Sequence, residues 1–150
     1  MAVAAHHTSE AEESPTGILG QRVGNVWVTP DGRIVPPNYG RHDNEAAALQ
    51  ELVNRLVTAL DPHMIWLFGS RARADARQDS DFDLLVVAKP SGAFGSADYE
   101  KAYAPISGTG VAADVVPCSH EDFFEALELR TSFVSRIVSE GRLVYGELKP

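Results

Sequence analysis

The stretch FGSRARADARQDSDFDLLVV, residues 68–87, decides how this chain is read. The apolar run Met64–Phe68 ends in Gly69-Ser70, and a polar, basic decapeptide follows before a second apolar run, Phe82–Ala88. Runs of this length and composition predict two buried strands. Asp81 and Asp83 stand at the mouth of the second strand, one residue apart. Side chains alternate faces along a strand, so these two carboxylates project together while Phe82 and Leu84 point to the opposite face. Like charges so placed repel and raise a pKa unless a positive charge intervenes. Mg²⁺ is one resolution, because it takes one or two carboxylates and fills its other positions with water and phosphate oxygens. Solvation of a strand entrance is the other, since Asp is common in turns.

The neighbouring residues add to the first reading. Gly69 permits a tight turn and close backbone approach by a ligand. The segment Arg71–Ala76 is expected to make one or two helical turns, whose N-terminus would attract phosphate. Arg71, Arg73 and Arg77 bring positive charge, with Arg71 and Arg77 expected to be solvated surface residues. Asp114 interrupts the apolar segment Val111–Val116, expected to be a third strand. A buried carboxylate there would need a partner or a metal, whereas one on an exposed edge strand would simply face water. Asp98 and Glu100 belong to a predicted helix face, where solvation explains them.

Further out, Leu49, Leu52, Val53, Leu56, Val57 and Leu60 recur at three- and four-residue steps, predicting a helix over Asn44–Leu60. Asp43 or Asn44 can cap it, and Asp61-Pro62 stops it. Val23–Val28 and Arg33–Val35 flank Thr29-Pro30-Asp31-Gly32, a hairpin signal. A helix over Ala97–Ala104 is expected to close at Pro105. Ser119 with Asp122 resembles a capping box opening one helix to about Glu140, with Gly141 as its stop and a last strand over Leu143–Tyr145. The fold class is α+β, close to α/β, with a small mixed sheet packed against helices and an extra N-terminal hairpin. Residues 1–16 are expected to be a disordered tail, 17–42 a hairpin extension and 43–147 the domain proper.

The chain has 150 residues and a net charge of −8, which argues against general duplex-nucleic-acid binding. It holds one cysteine, so no internal disulfide is possible. No apolar run approaches the ~20 residues that span a bilayer, and the N-terminus shows no signal-peptide pattern. A cytoplasmic location with no membrane partner is therefore expected. Cys118 is read as a filler, not a nucleophile.

Gly69-Ser70, ten residues, then Asp81-x-Asp83 resembles the signature of the DNA polymerase beta-like nucleotidyltransferase superfamily. Ser70–Arg73 and Ser80–Val86 resemble its minimal nucleotidyltransferases, including antitoxins of the MntA type found beside HEPN-domain toxins. The resemblance spans residues 44–146, and FVSRIVSEGRLVYG, residues 133–146, resembles the family's C-terminal end. It implies a nucleotidyltransferase fold and transfer of a nucleoside monophosphate, AMP from ATP, to a hydroxyl, with a HEPN-type toxin as the expected acceptor. It further implies that Asp81, Asp83 and Asp114 bind two Mg²⁺ ions and act in catalysis, and that Gly69, Ser70, Arg73 and Ser80 lie at the nucleotide. Two departures stand out. Ala74 occupies a position where the family often has glycine, and residues before 43 lie outside the minimal pattern. Two other readings fit the same sequence. One is a binding module that neutralises its partner by covering it, with the hairpin around Trp27 as contact surface. The other is transfer to a small molecule such as an aminoglycoside, with a homodimer or partner subunit completing the pocket.

Overall fold

The computed structural model describes residues 12–13, 19–23 and 26–150. Of the expected tail, only Glu12 and Glu13 fall among these residues, and the Trp27 side chain lies outside them.

Strands β1 (Glu12–Glu13), β2 (Leu19–Val23), β3 (Val26–Val28) and β4 (Ile34–Val35) form an antiparallel sheet in that order. Val28 faces Ile34 across the predicted Thr29–Gly32 turn, where Gly32 takes a φ of 88° and its N–H donates to Thr29 O at 2.9 Å. Val23, expected within one strand with Val28, ends the preceding strand and faces Val26.

Helix α1 spans Glu45–Leu60, and the Asn44 side chain accepts from the Ala47 N–H. Strand β5 is Met64–Phe68 and β6 is Phe82–Val87. The short helix α2, Tyr99–Tyr103, runs into a 3₁₀ turn, Ala104–Ile106, that contains Pro105. Strand β7 (Ala113–Cys118) is followed by α3 (His120–Leu127), α4 (Phe133–Glu140) and β8 (Arg142–Gly146).

Strands β7, β6, β5 and β8 form the central mixed sheet in that order, with β6 and β7 parallel and the other pairs antiparallel. Helix α1 packs Leu52, Leu56 and Leu60 on one face, against Ile65, Leu67, Leu84 and Val86. Met64, Trp66, Leu85 and Val87 turn to the other face, where Phe123 of α3 and Val134 and Ile137 of α4 cover them. Each such side chain contributes roughly 1.5–3 kcal/mol by leaving water. Among the described residues, no helix is long and apolar enough to cross a membrane.

Only half of the capping box expected at Ser119 forms: its side chain accepts from the Asp122 N–H, but the Ser119 N–H donates to Ser96 Oγ, whose hydroxyl donates in turn to Asp122 Oδ2. The single helix expected to follow is instead two. Ser132 explains the break: its hydroxyl donates to Ala126 O at 2.6 Å and accepts from the Ser135 N–H at 3.0 Å. The Ser135 hydroxyl donates to Leu129 O at 2.7 Å. Two hydroxyls thus add second bonds to carbonyls at and just beyond the end of α3, and Ser132 also caps α4.

Candidate active site

Pairing within the central sheet assembles the site at one end of β6. Asp83 faces Phe68 of β5 on one side and Asp114 of β7 on the other. Asp81 lies one residue before β6, on the side of the chain that Asp83 also takes, as alternation requires. Asp114 sits on an edge strand and is exposed, yet the parallel register sets it beside Asp83. Of the two placements open to Asp114, the exposed edge strand is the one that occurs, and the parallel register still sets it level with Asp83.

The electrostatics follow from this convergence. Burial raises the pKa of Asp83 to about 6, Asp114 and Asp81 push it the same way, and Arg73 opposes them. Asp81 is also raised, first by burial and then by Asp114, with Asp79 adding to the effect and Arg71 countering it. The Oδ1 atom of Asp81 is buried with no hydrogen-bond partner. An orphaned carboxylate oxygen beside two more carboxylates is a donor set suited to a divalent cation. Among the described residues no three His, Cys, Asp or Glu side chains form a ready-made metal cage. An open carboxylate set is what Mg²⁺ uses, because it keeps several waters and completes its shell with substrate phosphates.

Gly69 abuts this set. Its φ is 73°, in the left-handed region, and a Cβ there would collide with Asp83 Oδ2. Both conformation and space demand glycine. Ser70 follows in a turn, where Gly69 O accepts from the N–H groups of Ala72 and Arg73, at 3.1 and 3.2 Å. The helix expected over Arg71–Ala76 does not form, because the chain reverses at Ala74, with a φ of 62°. Positive potential at this turn therefore comes from local amides and Arg73, not from a helix dipole.

Ala74 is where the missing glycine matters. A left-handed conformation costs an alanine about 1–2 kcal/mol, and glycine gives back about 0.5–1 kcal/mol in unfolded-chain entropy. Ala74 is exposed, so no packing is lost on removing its methyl. Ala74→Gly is expected to raise unfolding free energy by about 0.5–1 kcal/mol. Urea titration checks this, and an unchanged or lower midpoint at constant slope would refute the strain.

Arg71 differs most from expectation. It is 5% exposed, not solvated. Its guanidinium donates to Ser80 O from Nε at 3.0 Å and from Nη2 at 2.6 Å, to Gln78 O at 3.0 Å, and to Glu45 Oε2 at 2.7 Å. It also lies over the Phe82 ring at 4.2 Å. Ser80 is fully buried, and its hydroxyl accepts from the Arg77 N–H at 2.8 Å. That bond closes the turn before Asp81 and places Ser80 in the frame of the site, away from its open side.

A cavity of about 130 Å³ opens beside Gly69, lined by Arg73, Phe68 and the α4 residues Phe133, Arg136 and Glu140. The Phe133 ring meets Phe68 edge-on, with centroids 5.5 Å apart. Phe133, Arg136 and Glu140 escaped the sequence reading. Their three- and four-residue spacing puts them on one helix face, a signal visible only once α4 is separated from α3. Cys118 is buried and its thiol is pushed up to about 11, chiefly by burial, as suits an inert filler.

Comparison with known proteins bears on the family of the chain. A family profile described as "Polymerase beta, Nucleotidyltransferase" matches residues 50–149. A chain of Methanocaldococcus jannaschii, described as "putative protein adenylyltransferase", is 31% identical over 108 residues, covering 68% of this chain and 99% of that one. Among solved structures, a "putative nucleotidyltransferase" of Sulfolobus solfataricus is 22% identical, covers 67% of this chain and 79% of its own, and has a TM-score of 0.46. A toxin–antitoxin structure with AMP-PNP is 21% identical, covers 67% and 72%, and has a TM-score of 0.41. From the extent of the family match and the identity to the methanogen protein, the chain belongs to the polymerase beta family of nucleotidyltransferases.

Proposed function

We propose that the protein transfers AMP from ATP to a hydroxyl group on a partner protein. One observation carries the reading: Asp114 pairs in register with Asp83, Asp81 and Asp114 both raise the Asp83 pKa, and the set lies beside the Gly69 turn with a buried Asp81 oxygen left unpartnered. The adenylyl group and the protein acceptor are supported by the description of the methanogen relative. A HEPN-type toxin as acceptor rests on the sequence resemblance. A cytoplasmic setting accords with a single, buried cysteine.

In this reading the ATP polyphosphate lies along the Gly69-Ser70 turn, where a side chain at position 69 would obstruct it, and Arg73 supplies positive charge. The cavity toward Phe133 and Arg136 takes an adjoining part of the nucleotide. The acceptor oxygen attacks the α-phosphorus. A new O–P bond forms as the bond from that phosphorus to the bridging oxygen breaks, and pyrophosphate leaves. Asp114, exposed at the edge of the sheet, accepts the hydroxyl proton and can pass it to water. Asp81, Asp83 and Asp114 would hold Mg²⁺, two ions by the resemblance, whose charge offsets that of the reacting phosphates. The rest is positioning by a rigid sheet mouth.

The test is transfer of α-labelled ATP into proteins of the source cells, with Mg²⁺, beside the Asp81→Asn/Asp83→Asn double variant. A labelled polypeptide band seen only with the intact site is expected. Label confined to small molecules would replace the protein acceptor, and equal labelling by the variant would dismiss the site.

A further inference from the structure

Asn38 lies before the family-matched region, in the extension that the minimal pattern does not include. It nonetheless touches both strand mouths that carry the carboxylates. Its side-chain Nδ2 donates to Ser80 O at 3.0 Å and to Ala112 O at 2.8 Å. Its Oδ1 accepts from the Ala112 N–H at 2.6 Å, and its backbone N–H donates to Gln78 O at 2.7 Å. Ala112 O also accepts from the Phe82 N–H at 3.1 Å. A closed ring results, running from Asn38 through Ser80, Asp81 and Phe82 to Ala112 and back. Asp81 sits inside this ring with the peptide groups on both sides held. Asp114 is two residues beyond Ala112. Two residues beyond Asn38, Gly40 lies so close to the same loop that a Cβ would stand 2.5 Å from Thr109 O.

We infer that Asn38 is a positioning residue for the carboxylate set, so that the extension supplies part of the active-site frame. The inference rests on the carboxylates being the reactive site proposed above. The chemistry selects asparagine. Two carbonyls and one N–H converge on its side chain, and a primary amide offers two donors and an acceptor in one plane. Aspartate would set a carboxylate against two carbonyl oxygens and add negative charge beside Asp81. Fixing the spacing between the β6 and β7 mouths fixes how Asp81 and Asp114 approach one another, as outer residues do for ligands elsewhere.

The experiment compares Asn38→Ala, Asn38→Ser, Asp83→Asn and Leu60→Ala in the full chain. Leu60 is buried at the C-terminus of α1, near the start of β5 and so at the opposite end of the sheet from the site. It serves as the control for lost stability. Each variant is measured below its melting temperature, for kcat and KM with ATP and for Mn²⁺ affinity of the nucleotide-free protein by electron spin resonance. Asn38→Ala is expected to lower kcat about 10- to 100-fold, with KM for ATP changed less than about threefold and Mn²⁺ binding weakened about tenfold. Leu60→Ala is expected to keep kcat and Mn²⁺ affinity despite a lower melting temperature. Should Asn38→Ala not fold, Asn38→Ser, which keeps a polar side chain but withdraws the amide from Ser80 O and Ala112, gives the same comparison. Loss of activity in Asp83→Asn with unchanged kcat and Mn²⁺ affinity in the Asn38 variants overturns the inference and leaves the site standing. Equal losses in Leu60→Ala and the Asn38 variants also overturn it. Full activity in Asp83→Asn overturns both the site and the inference.

Discussion

Asp83→Asn is expected to lower nucleotidyl transfer by about a thousandfold or more and, in the metal-free protein at neutral pH, to raise stability. The two effects share one cause. In the folded chain burial, then Asp114 and Asp81, raise the Asp83 pKa to about 6 from an ordinary 3.8. Between those two values the folded chain binds the proton more tightly than the unfolded chain does. Stability from this group is therefore full below about pH 4 and is lost as pH rises through about 6. Asp81, also raised, adds in the same direction. Asparagine imitates the protonated carboxyl at every pH. At pH 7–8 the variant should gain on the order of 1 kcal/mol after allowance for solvent screening. Its stability should also vary less between pH 4 and 6. Thermal unfolding across pH in the presence of a chelator tests this, alongside transfer assays with Mg²⁺. A variant that loses both activity and stability would show that Asp83 holds the fold together, contrary to the repulsion described here. An active variant would remove it from the reaction.

Arg71→Ala is expected to cost about 3–4 kcal/mol of stability, a large part of what a domain of this size possesses. Its guanidinium satisfies Ser80 O and Gln78 O, pairs with Glu45 and lies over Phe82. Alanine removes the group packed on Phe82, leaves Glu45 without this partner, and takes the guanidinium donors from two carbonyls that then keep only Asn38. Arg71→Lys keeps the charge, but an ammonium cannot span three acceptors in the plane that guanidinium does. It should lose roughly half as much. Urea unfolding of the three proteins measures this order. If alanine costs less than about 1 kcal/mol, or no more than lysine, the guanidinium network contributes little to the fold. Because Arg71 also favours the charged form of Asp81, its loss should raise the Asp81 pKa further.

Much of the site was legible along the chain because its signals are local. The apolar run of β5, the glycine turn and the two aspartates before and within β6 lie within twenty residues. Backbone alternation alone places Asp81 and Asp83 on one side. Capping at Asn44 and Ser119 was readable for the same reason, since a cap bonds to an N–H three residues on. Reading failed where a side chain answers to distant partners. Arg71 looked like one more surface arginine in a basic loop, and nothing nearby reveals that Phe82 and Glu45 enclose it. The break between α3 and α4 was hidden because the apolar pattern continues across it, while the two serine hydroxyls that create it are weak signals by themselves.

The sequence by itself determined helix α1, the two strands flanking the Gly69 turn, and the shared face of Asp81 and Asp83, because backbone geometry and short-range hydrogen bonding set these within a few residues. Only the tertiary structure decided that β7 lies parallel to β6 with Asp114 beside Asp83, that Arg71 is buried, that Ala74 adopts a left-handed conformation, and that Asn38 ties both strand mouths. Those outcomes depend on which segments become neighbours. Asn38 and Ala112 are 74 residues apart, and local periodicity carries no record of such a meeting. Burial of the whole sheet between its helices brings the partners together, and each polar group must then find its hydrogen bonds where the packing has left it.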